Sequence, residues 1–255
     1  MNYRHAFHAG NFADVLKHVV LVRILVHLRA KPAAFRVIDT HAGAGRYDLA
    51  GAEAGRSGEW REGIARLLGA LSGAGSRIGE GARALLAPYL DAVAALNDGG
   101  RLSTYPGSPA LVCAFLRAQD RLTACELEPN AAAALARNLH GDRRSKALAI
   151  DGWTALNAYV PPRERRGLVL VDPPFEEAGD FPRLAQALEA ALRKWASGSY
   201  LLWYPIKERE APNALARRLL RGGMGSHSLG ASSTILRVEL SVGALPDTNR
   251  LGACA

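Results

Sequence analysis

Apolar and polar positions alternate in blocks along this chain, and the blocks predict strands separated by helices. Short apolar runs that end in a carboxylate recur at residues 35–39, 122–126 and 168–172. Their length and β-branched content are typical of buried parallel strands. Stretches with helical spacing, such as residues 11–30 and 181–195, lie between such runs. Strands that alternate with helices predict an α/β fold built on a parallel sheet.

One region departs from this alternation. Residues 48–104 are rich in Ala, Gly, Leu and Arg, and they show helical periodicity near 60–72 and 80–97. We therefore predict that residues 48–104 form a small inserted helical subdomain. The main domain would then consist of residues 1–47 and 105–255.

Acidic side chains stand at the ends of four successive predicted strands. The four are Asp39, Glu126, Asp151 and Asp172. Parallel strands bring their carboxyl ends to one edge of the sheet, and ligands bind at that edge in open α/β folds. Any one of these acids could equally be a helix cap or a solvated turn residue. Their recurrence favours a common binding cleft.

A glycine-rich turn follows the first of these acids. Gly43-Ala44-Gly45 comes shortly after Asp39, and glycines there let the backbone approach a ligand closely. A dinucleotide fingerprint would need a third glycine, but Tyr47 and Asp48 stand near that position. The turn therefore favours a nucleoside ligand without a pyrophosphate, such as S-adenosylmethionine. A plain tight turn is the alternative.

The sharpest motif is Asp172-Pro173-Pro174-Phe175, at the end of the predicted central strand. Methylation of an exocyclic amine is difficult because the nitrogen lone pair is delocalised into the ring. The Asp172 carboxylate and the Pro173 carbonyl can accept hydrogen bonds from both amine protons, which favours the pyramidal amine of the transition state. Phe175 offers a face for base stacking, and Asp172 can take the released proton. The alternative is a proline-capped strand end with a core phenylalanine.

Composition narrows the class of partner and the compartment. The formal net charge is +8, which favours a polyanionic partner such as nucleic acid. The alternative is that the arginine content follows a GC-rich genome. The three cysteines show neither metal spacing nor a paired pattern, so we expect reduced thiols, a cytoplasmic protein and no metal. No apolar stretch has the length that spanning a bilayer requires, so we expect no membrane partner.

Short blocks spread along the whole chain match the motifs of one known family. The blocks are Tyr3–Asn11, Ala13–His18, Asp39–Tyr47, Tyr105–Pro109, Arg165–Gly167, Asp172–Phe175, Leu202–Pro205 and Leu245–Asp247. Together they resemble the bacterial 23S ribosomal RNA adenine-N6 methyltransferases of the J type. The resemblance implies a Rossmann-like S-adenosylmethionine-dependent methyltransferase fold, with residues 1–30 as an N-terminal cofactor and substrate segment. It also implies methyl transfer, by a monomer, to an unpaired or flipped adenine of 23S rRNA.

The resemblance assigns roles to matching positions of this chain. Asp172 would be the catalytic acceptor, with Pro173 and Phe175 beside it. Tyr3 would touch the RNA, and we add Lys17 as a positive charge at the rim of the pocket. The implied contacts to S-adenosylmethionine are His18, His41, Gly43, Ser108, Glu126, Asp151 and Gly152.

Two local features carry further expectations. Ser108 is predicted to cap a helix that has Pro109 in its first turn. Residues 233–242 alternate and are β-branched, which predicts a late antiparallel strand. The resembled family continues beyond the last residue with another strand, so we expect a shortened C-terminus and an exposed edge on the late strand.

Three other functions stay open on the residues alone. A DNA adenine methyltransferase would share the Asp-Pro-Pro motif and would prefer duplex DNA. A glutamine methyltransferase of the release-factor type usually has asparagine where this chain has Asp172. An RNA-binding relic would bind RNA without transferring a methyl group.

Overall fold

The structure is a computed structural model that describes residues 4–73, 78–177, 179–222 and 234–240. The strands are β1 (Arg36–Asp39), β2 (Arg46–Asp48), β3 (Thr104–Pro106), β4 (Arg121–Glu126), β5 (Ser145–Ala149), β6 (Gly167–Val171) and β7 (Ser199–Leu202). The α-helices are α1 (Phe12–Arg29), α2 (Ala52–Ser57), α3 (Ile64–Ser72), α4 (Glu80–Ala94), α5 (Ser108–Phe115), α6 (Pro129–Asn138), α7 (Gly152–Tyr159), α8 (Asp180–Lys194) and α9 (Glu210–Gly222).

Five strands form one parallel sheet in the order β5-β4-β1-β6-β7. The chain builds the sheet outward from β1 through β4 to β5, and then returns to place β6 on the other side of β1. The strand order therefore reverses between β1 and β6, which is where open α/β sheets bind ligands. The predicted parallel α/β architecture is confirmed.

Successive side chains of β6 point to opposite faces of the sheet. They pack into two separate apolar clusters. Leu168 and Leu170 belong to a cluster that includes Leu21 and Leu25 of α1. Val169 and Val171 belong to a second cluster with residues of α8. This two-residue period is the geometry of a strand covered on both faces, and it explains why the whole of β6 is apolar.

The region predicted as a helical insertion begins and ends in a small antiparallel sheet. β2 pairs with β3, and Tyr47 lies opposite Tyr105. α2, α3 and α4 lie between these strands, and α4 packs on α1. Sequence periodicity predicted the helices near α3 and α4 but missed the two strands, because each is only three residues long. The subdomain boundaries stay a prediction.

Arg117 and Arg166 stabilise the loop after α1, at the amino-terminal edge of the sheet. Arg117 donates hydrogen bonds to the carbonyls of Lys31 and Ala33, and Arg166 donates to the carbonyl of Ala33. Both guanidinium groups also lie over the Phe35 ring, at 5.6 and 5.9 Å. Part of the positive charge seen in the sequence therefore holds the loop after α1, on the side opposite the carboxyl ends of the strands.

The late strand predicted for residues 233–242 is wrong for the part that the structure describes. Residues 234–240 form no strand, and Leu236 is 84% exposed. Alternation of side chains predicts a strand only if a neighbouring strand supplies backbone hydrogen bonds. Here side chains supply the contacts, for example from Arg237 to Asn213. The remaining residues of this prediction lie outside the described ranges.

Candidate active site

A cavity of about 570 Å³ opens where β1 and β6 end, at the reversal of the strand order. Its volume lies in the range of ligand sites. The structure brings ten of the predicted site residues into its wall: Lys17, His18, His41, Gly43, Ser108, Glu126, Asp151, Gly152, Asp172 and Pro173. Tyr3 lies outside the described residues, so its predicted contact with RNA stays a prediction.

Phe175 does not line this cavity. It is 7% exposed and belongs to the cluster beneath the sheet edge, with its ring centroid 4.8 Å from that of Phe181. The ring that was expected to stack on a base is therefore covered, and the alternative of a core phenylalanine fits its placement. The aromatic side chains at the cavity wall include Tyr47 and Trp153, and the Trp153 ring meets His41 edge-on at 5.4 Å.

Asp172 is held by a buried lysine. The Lys17 ammonium lies 2.5 Å from Asp172 Oδ2 and 2.9 Å from Asp14 Oδ1. Lys17 was predicted to add charge at the rim of the pocket, but its side chain is 5% exposed and paired with two carboxylates. It therefore lies in the wall and orients Asp172, because a buried side chain held by one ion pair and one charge-assisted hydrogen bond has little freedom to move.

Helix α1 positions this polar group. Asn11 caps the helix by accepting a hydrogen bond from the Asp14 backbone N–H. Asp14, Lys17 and His18 follow at spacings of three and four residues, so they lie on the same buried face of the helix. Burial alone would raise the pKa of Asp14, but the charges of His5 and Lys17 hold it well below its usual range. Asp14 is therefore ionised and keeps Lys17 in place.

Glu126 organises the glycine turn. Its Oε2 accepts a hydrogen bond from the Gly43 backbone N–H, and its Oε1 accepts one from the Glu128 backbone N–H, each at 2.8 Å. Since each carboxylate oxygen has a second lone pair, both can still accept from a ligand. Gly43 has φ of +61°, and a Cβ there would lie 2.1 Å from the Tyr47 hydroxyl. The turn thus requires glycine at this position.

Asp151 and Gly152 bring helix α7 against the end of β1. The Asp151 carboxylate caps α7 by accepting a hydrogen bond from the Thr154 backbone N–H at 2.8 Å. The alternative interpretation of this acid as a helix cap therefore fits, although Asp151 also lines the cavity. A Cβ at Gly152 would lie 2.3 Å from the Thr40 carbonyl oxygen, so only glycine permits this approach.

Ser108 and Asp39 form a buried pair behind the wall. The helix cap is Gly107 and not the predicted Ser108, because the Ser108 hydroxyl donates to Asp39 Oδ2 at 2.6 Å. Asp39 is fully buried, and its Oδ1 has no hydrogen-bond partner within the described residues. Burial raises the pKa of Asp39 to about 7, although the Ser108 hydroxyl opposes this effect. Towards the cavity, Ser108 Oγ can only accept.

Replacement of Asp39 by asparagine should remove a pH dependence of stability. The folded-state pKa of about 7 exceeds the ordinary 3.8, so the folded protein binds this proton more tightly than the unfolded chain. The corresponding stabilisation is complete below the unfolded pKa and is lost as the pH rises through 7. Between these values the wild type should lose on the order of 4 kcal/mol relative to Asp39→Asn. Urea unfolding of both proteins across this range measures the difference, and parallel curves would contradict it.

Two buried histidines complete the wall. His18 Nδ1 lies 2.8 Å from the Tyr105 hydroxyl, which lies 3.0 Å from the Tyr89 hydroxyl. His41 Nδ1 lies 2.8 Å from the Thr40 hydroxyl. Burial lowers the pKa of His18 to about 3 and that of His41 to about 4. Both rings are therefore neutral at physiological pH.

Sequence reasoning missed several residues that support the site. Asp14 gave a usable signal, since it shares with Lys17 and His18 one face of helix α1 at helical spacing. Tyr89 and Tyr105 gave none, because a buried tyrosine has no spacing that separates a hydrogen-bond partner from a core residue. The described residues contain no group of three or more His, Cys, Asp or Glu side chains placed to hold a metal ion.

The strand order and the placement of the motifs define the class of protein. A parallel sheet that reverses between β1 and β6, with a glycine turn after β1 and Asp-Pro-Pro after β6, is a Rossmann-like methyltransferase fold. A crystal structure of protein LPL1258 from Legionella pneumophila, of family DUF519, matches with a TM-score of 0.75 and 34% identity. The match covers 84% of this chain and 76% of that one.

Sequence comparison gives the family. The profile of the family described as "Ribosomal RNA large subunit methyltransferase D, RlmJ" matches residues 32–255. Ribosomal RNA large subunit methyltransferase J of Escherichia coli K12 is 38% identical over 255 residues, which is all of this chain and 84% of that protein. The Haemophilus influenzae protein of the same name is 37% identical, with the same two shares. The chain belongs to this methyltransferase family. Among the described residues no helix has the length and apolar character needed to cross a membrane.

Proposed function

We propose that the protein transfers a methyl group from S-adenosylmethionine to N6 of an unpaired or flipped adenine in 23S ribosomal RNA. One observation carries the proposal above the others. A carboxylate held by a buried lysine, Asp172, lies in the wall of the same cavity as the glycine turn and Glu126. This arrangement provides an acceptor for an amine beside a place for a nucleoside cofactor.

The wall fits S-adenosylmethionine by its chemistry. Glu126 keeps a lone pair on each oxygen for the two ribose hydroxyls. Asp151 offers an acceptor for the adenine amino group, and the close approach of Gly152 to Thr40 places Asp151 beside the end of β1. His18, His41 and Ser108 would hold the methionine part. When bound, this cofactor supplies an electrophilic methyl group on a sulfonium.

Asp172 and Pro173 would prepare the target amine. Lys17 occupies Asp172 Oδ2, so Oδ1 is the oxygen that accepts from the amine. The Pro173 carbonyl, on a rigid turn, accepts from the second N6 proton. With both protons engaged, the N6 lone pair would face the sulfonium methyl group that S-adenosylmethionine supplies when bound. Asp172 then takes the proton that the methylated amine releases.

The RNA must present its adenine outside a helix. N6 is hydrogen-bonded in a duplex, so the base is methylated only when unpaired or flipped into the cavity. Arg183 lines the cavity, and its guanidinium lies over the Trp153 ring at 4.8 Å. A cation in this position can bind a phosphate beside the flipped nucleotide. Binding should therefore weaken as the salt concentration rises.

A direct methylation assay tests the function. The purified protein is incubated with labelled S-adenosylmethionine and either protein-free 23S rRNA or duplex DNA that contains adenine. The label should enter the rRNA, and digestion should yield N6-methyladenosine at one position. That position should be unmodified in rRNA from cells without the gene. Transfer to DNA alone, or binding of rRNA without transfer, would overturn the proposal in favour of a DNA methyltransferase or of an RNA-binding protein.

A further inference from the structure

We infer that Tyr105 and Thr40 are positioning residues that fix His18 and His41 in opposite tautomers. His18 would donate a hydrogen bond into the cavity, and His41 would accept one. Such a pair matches an amino-acid group that carries both a carboxylate and an ammonium. The inference rests on the proposed function, because it assigns the protein groups that recognise the methionine part of the cofactor.

The direction of hydrogen bonding in the tyrosine chain fixes the first tautomer. Tyr89 and Tyr105 are completely buried, and the described residues offer the Tyr89 hydroxyl no acceptor except Tyr105. If His18 Nδ1 carried the proton, Tyr105 would donate to Tyr89, and the Tyr89 hydrogen would have no acceptor. A buried donor left in this way costs about 1–3 kcal/mol. Tyr89 therefore donates to Tyr105, Tyr105 donates to His18 Nδ1, and the ring proton sits on Nε2.

The second tautomer follows from a carbonyl group. The Thr40 hydroxyl lies 3.0 Å from the Leu170 carbonyl oxygen, which can only accept a hydrogen bond. The Thr40 hydroxyl has one hydrogen, so both of its contacts are hydrogen bonds only when that hydrogen points to Leu170. Since His41 Nδ1 lies 2.8 Å from the same hydroxyl oxygen, that nitrogen must donate. His41 thus carries its proton on Nδ1, and Nε2 is left as an acceptor.

Both rings hold one proton each under working conditions. Burial depresses the pKa of His18 to about 3 and that of His41 to about 4, so neither ring gains a second proton near neutral pH. A neutral imidazole has one donor and one acceptor, and the buried partners already occupy Nδ1 in each ring. The nitrogen available to a ligand is Nε2 in both cases, with opposite polarity.

The polarity of the wall selects the ligand. The Nε2–H of His18 can donate only to an anionic or neutral acceptor, such as a carboxylate. His41 Nε2 accepts, and Ser108 Oγ also accepts because its hydrogen is committed to Asp39. Two acceptors and one donor suit an ammonium and a carboxylate on one α-carbon. A nucleoside without this group gains nothing from these contacts.

Nitrogen chemical shifts test the tautomers directly. In histidine-labelled protein, two-dimensional NMR should place the His18 proton on Nε2 and the His41 proton on Nδ1. Tyr89→Phe leaves His18 Nδ1 as the one hydrogen-bond acceptor that the described residues offer the Tyr105 hydroxyl, so the His18 proton should stay on Nε2 in this variant. A His18 proton on Nδ1, in the wild type or in Tyr89→Phe, would overturn the inference.

Calorimetry with two nucleosides tests the recognition. S-adenosylhomocysteine has the amino-acid group, whereas 5′-methylthioadenosine lacks it. Tyr105→Phe and Thr40→Val should each weaken S-adenosylhomocysteine about tenfold and leave methylthioadenosine within about twofold. The matched control is Tyr200→Phe, whose hydroxyl donates to the Trp195 carbonyl away from the cavity. It should change neither affinity.

The outcomes separate the two proposals. Equal weakening of both nucleosides in Tyr105→Phe, or no weakening of either, would overturn the inference while the proposed function stands. A wild-type protein that binds neither nucleoside would overturn the proposed cofactor and the recognition that depends on it. The tautomers would then still be decided by the NMR measurement.

Discussion

Replacement of Asp172 by asparagine should abolish methyl transfer and leave cofactor binding nearly intact. The amide keeps the shape of the side chain but cannot take the proton of the methylated amine. Its NH2 group also faces the Lys17 ammonium or the target amine, so one preorganised acceptor is lost. We expect kcat to fall on the order of 10³-fold. Lys17 keeps its pairing with Asp14, so the fold should persist.

The comparison variant for this experiment is Glu126→Gln. Glutamine has a single acceptor oxygen and cannot satisfy the backbone N–H groups of both Gly43 and Glu128 as the carboxylate does. We therefore expect the opposite pattern, with S-adenosylmethionine affinity about tenfold weaker and kcat at saturation little changed. Calorimetry and single-turnover assays measure the two quantities. Glu189→Gln, a surface carboxylate paired with Arg218, serves as the control.

This pattern tests the roles that we assign to Asp172 and Glu126. A loss of cofactor affinity in Asp172→Asn with normal turnover at saturation would move Asp172 to the cofactor site. Normal methyl transfer by Asp172→Asn would remove the proposed proton acceptor altogether.

Replacement of Lys17 by methionine should destabilise the protein and disable it. Methionine fills a similar volume but leaves Asp14 buried beside Asp172 without the shared counter-charge. The side chains of Lys17 and Asp14 are 5% and 3% exposed, so the pair lies in a region of low dielectric. Removal of one partner of a buried pair costs about 3–5 kcal/mol. Urea unfolding at neutral pH measures this loss.

An exposed lysine provides the control for this variant. Lys146 on β5 faces solvent, and Lys146→Met should change the free energy of unfolding by no more than about 0.5 kcal/mol. In Lys17→Met we also expect methyl transfer to fall even where the protein is still folded, because Asp172 loses the contact that orients it. If Lys17→Met had wild-type stability and wild-type turnover, Lys17 would neither stabilise the fold nor orient Asp172.

The sequence predicted the parallel sheet because its central strands β1, β4 and β6 are buried on both faces and therefore form largely apolar runs. It also located the edge where the site lies, since a carboxylate follows each of several strands. β2 and β3 could not be predicted, because three residues carry no measurable alternation. The late strand failed for a different reason. Alternation in residues 234–240 says nothing about whether a partner strand is present.

The sequence predicted which residue types form the candidate site, but it did not predict where their side chains point. The sequence brought Lys17 and Asp172 to the same pocket, but only the fold places the ammonium within 2.5 Å of the carboxylate. The position of Phe175 could not be read either. Its φ of +48° turns the backbone after the two prolines and directs the ring into the core. A motif fixes the residues at a strand end, whereas the local backbone decides which of them face the ligand.

Tyr89 connects the helices of the predicted insertion to the cavity wall. It stands on α4, within the predicted insertion, yet its hydroxyl lies in the hydrogen-bond chain that reaches His18 at the cavity. The predicted insertion therefore supplies a buried hydrogen bond to the main domain. Its deletion, or its exchange with the insertion of a relative that lacks this hydroxyl, would remove that hydrogen bond. An exchange would keep the Tyr105 hydroxyl in both of its hydrogen bonds only if the incoming helix restored a hydroxyl at the same place. Helices that are grafted here to change RNA preference should retain this tyrosine.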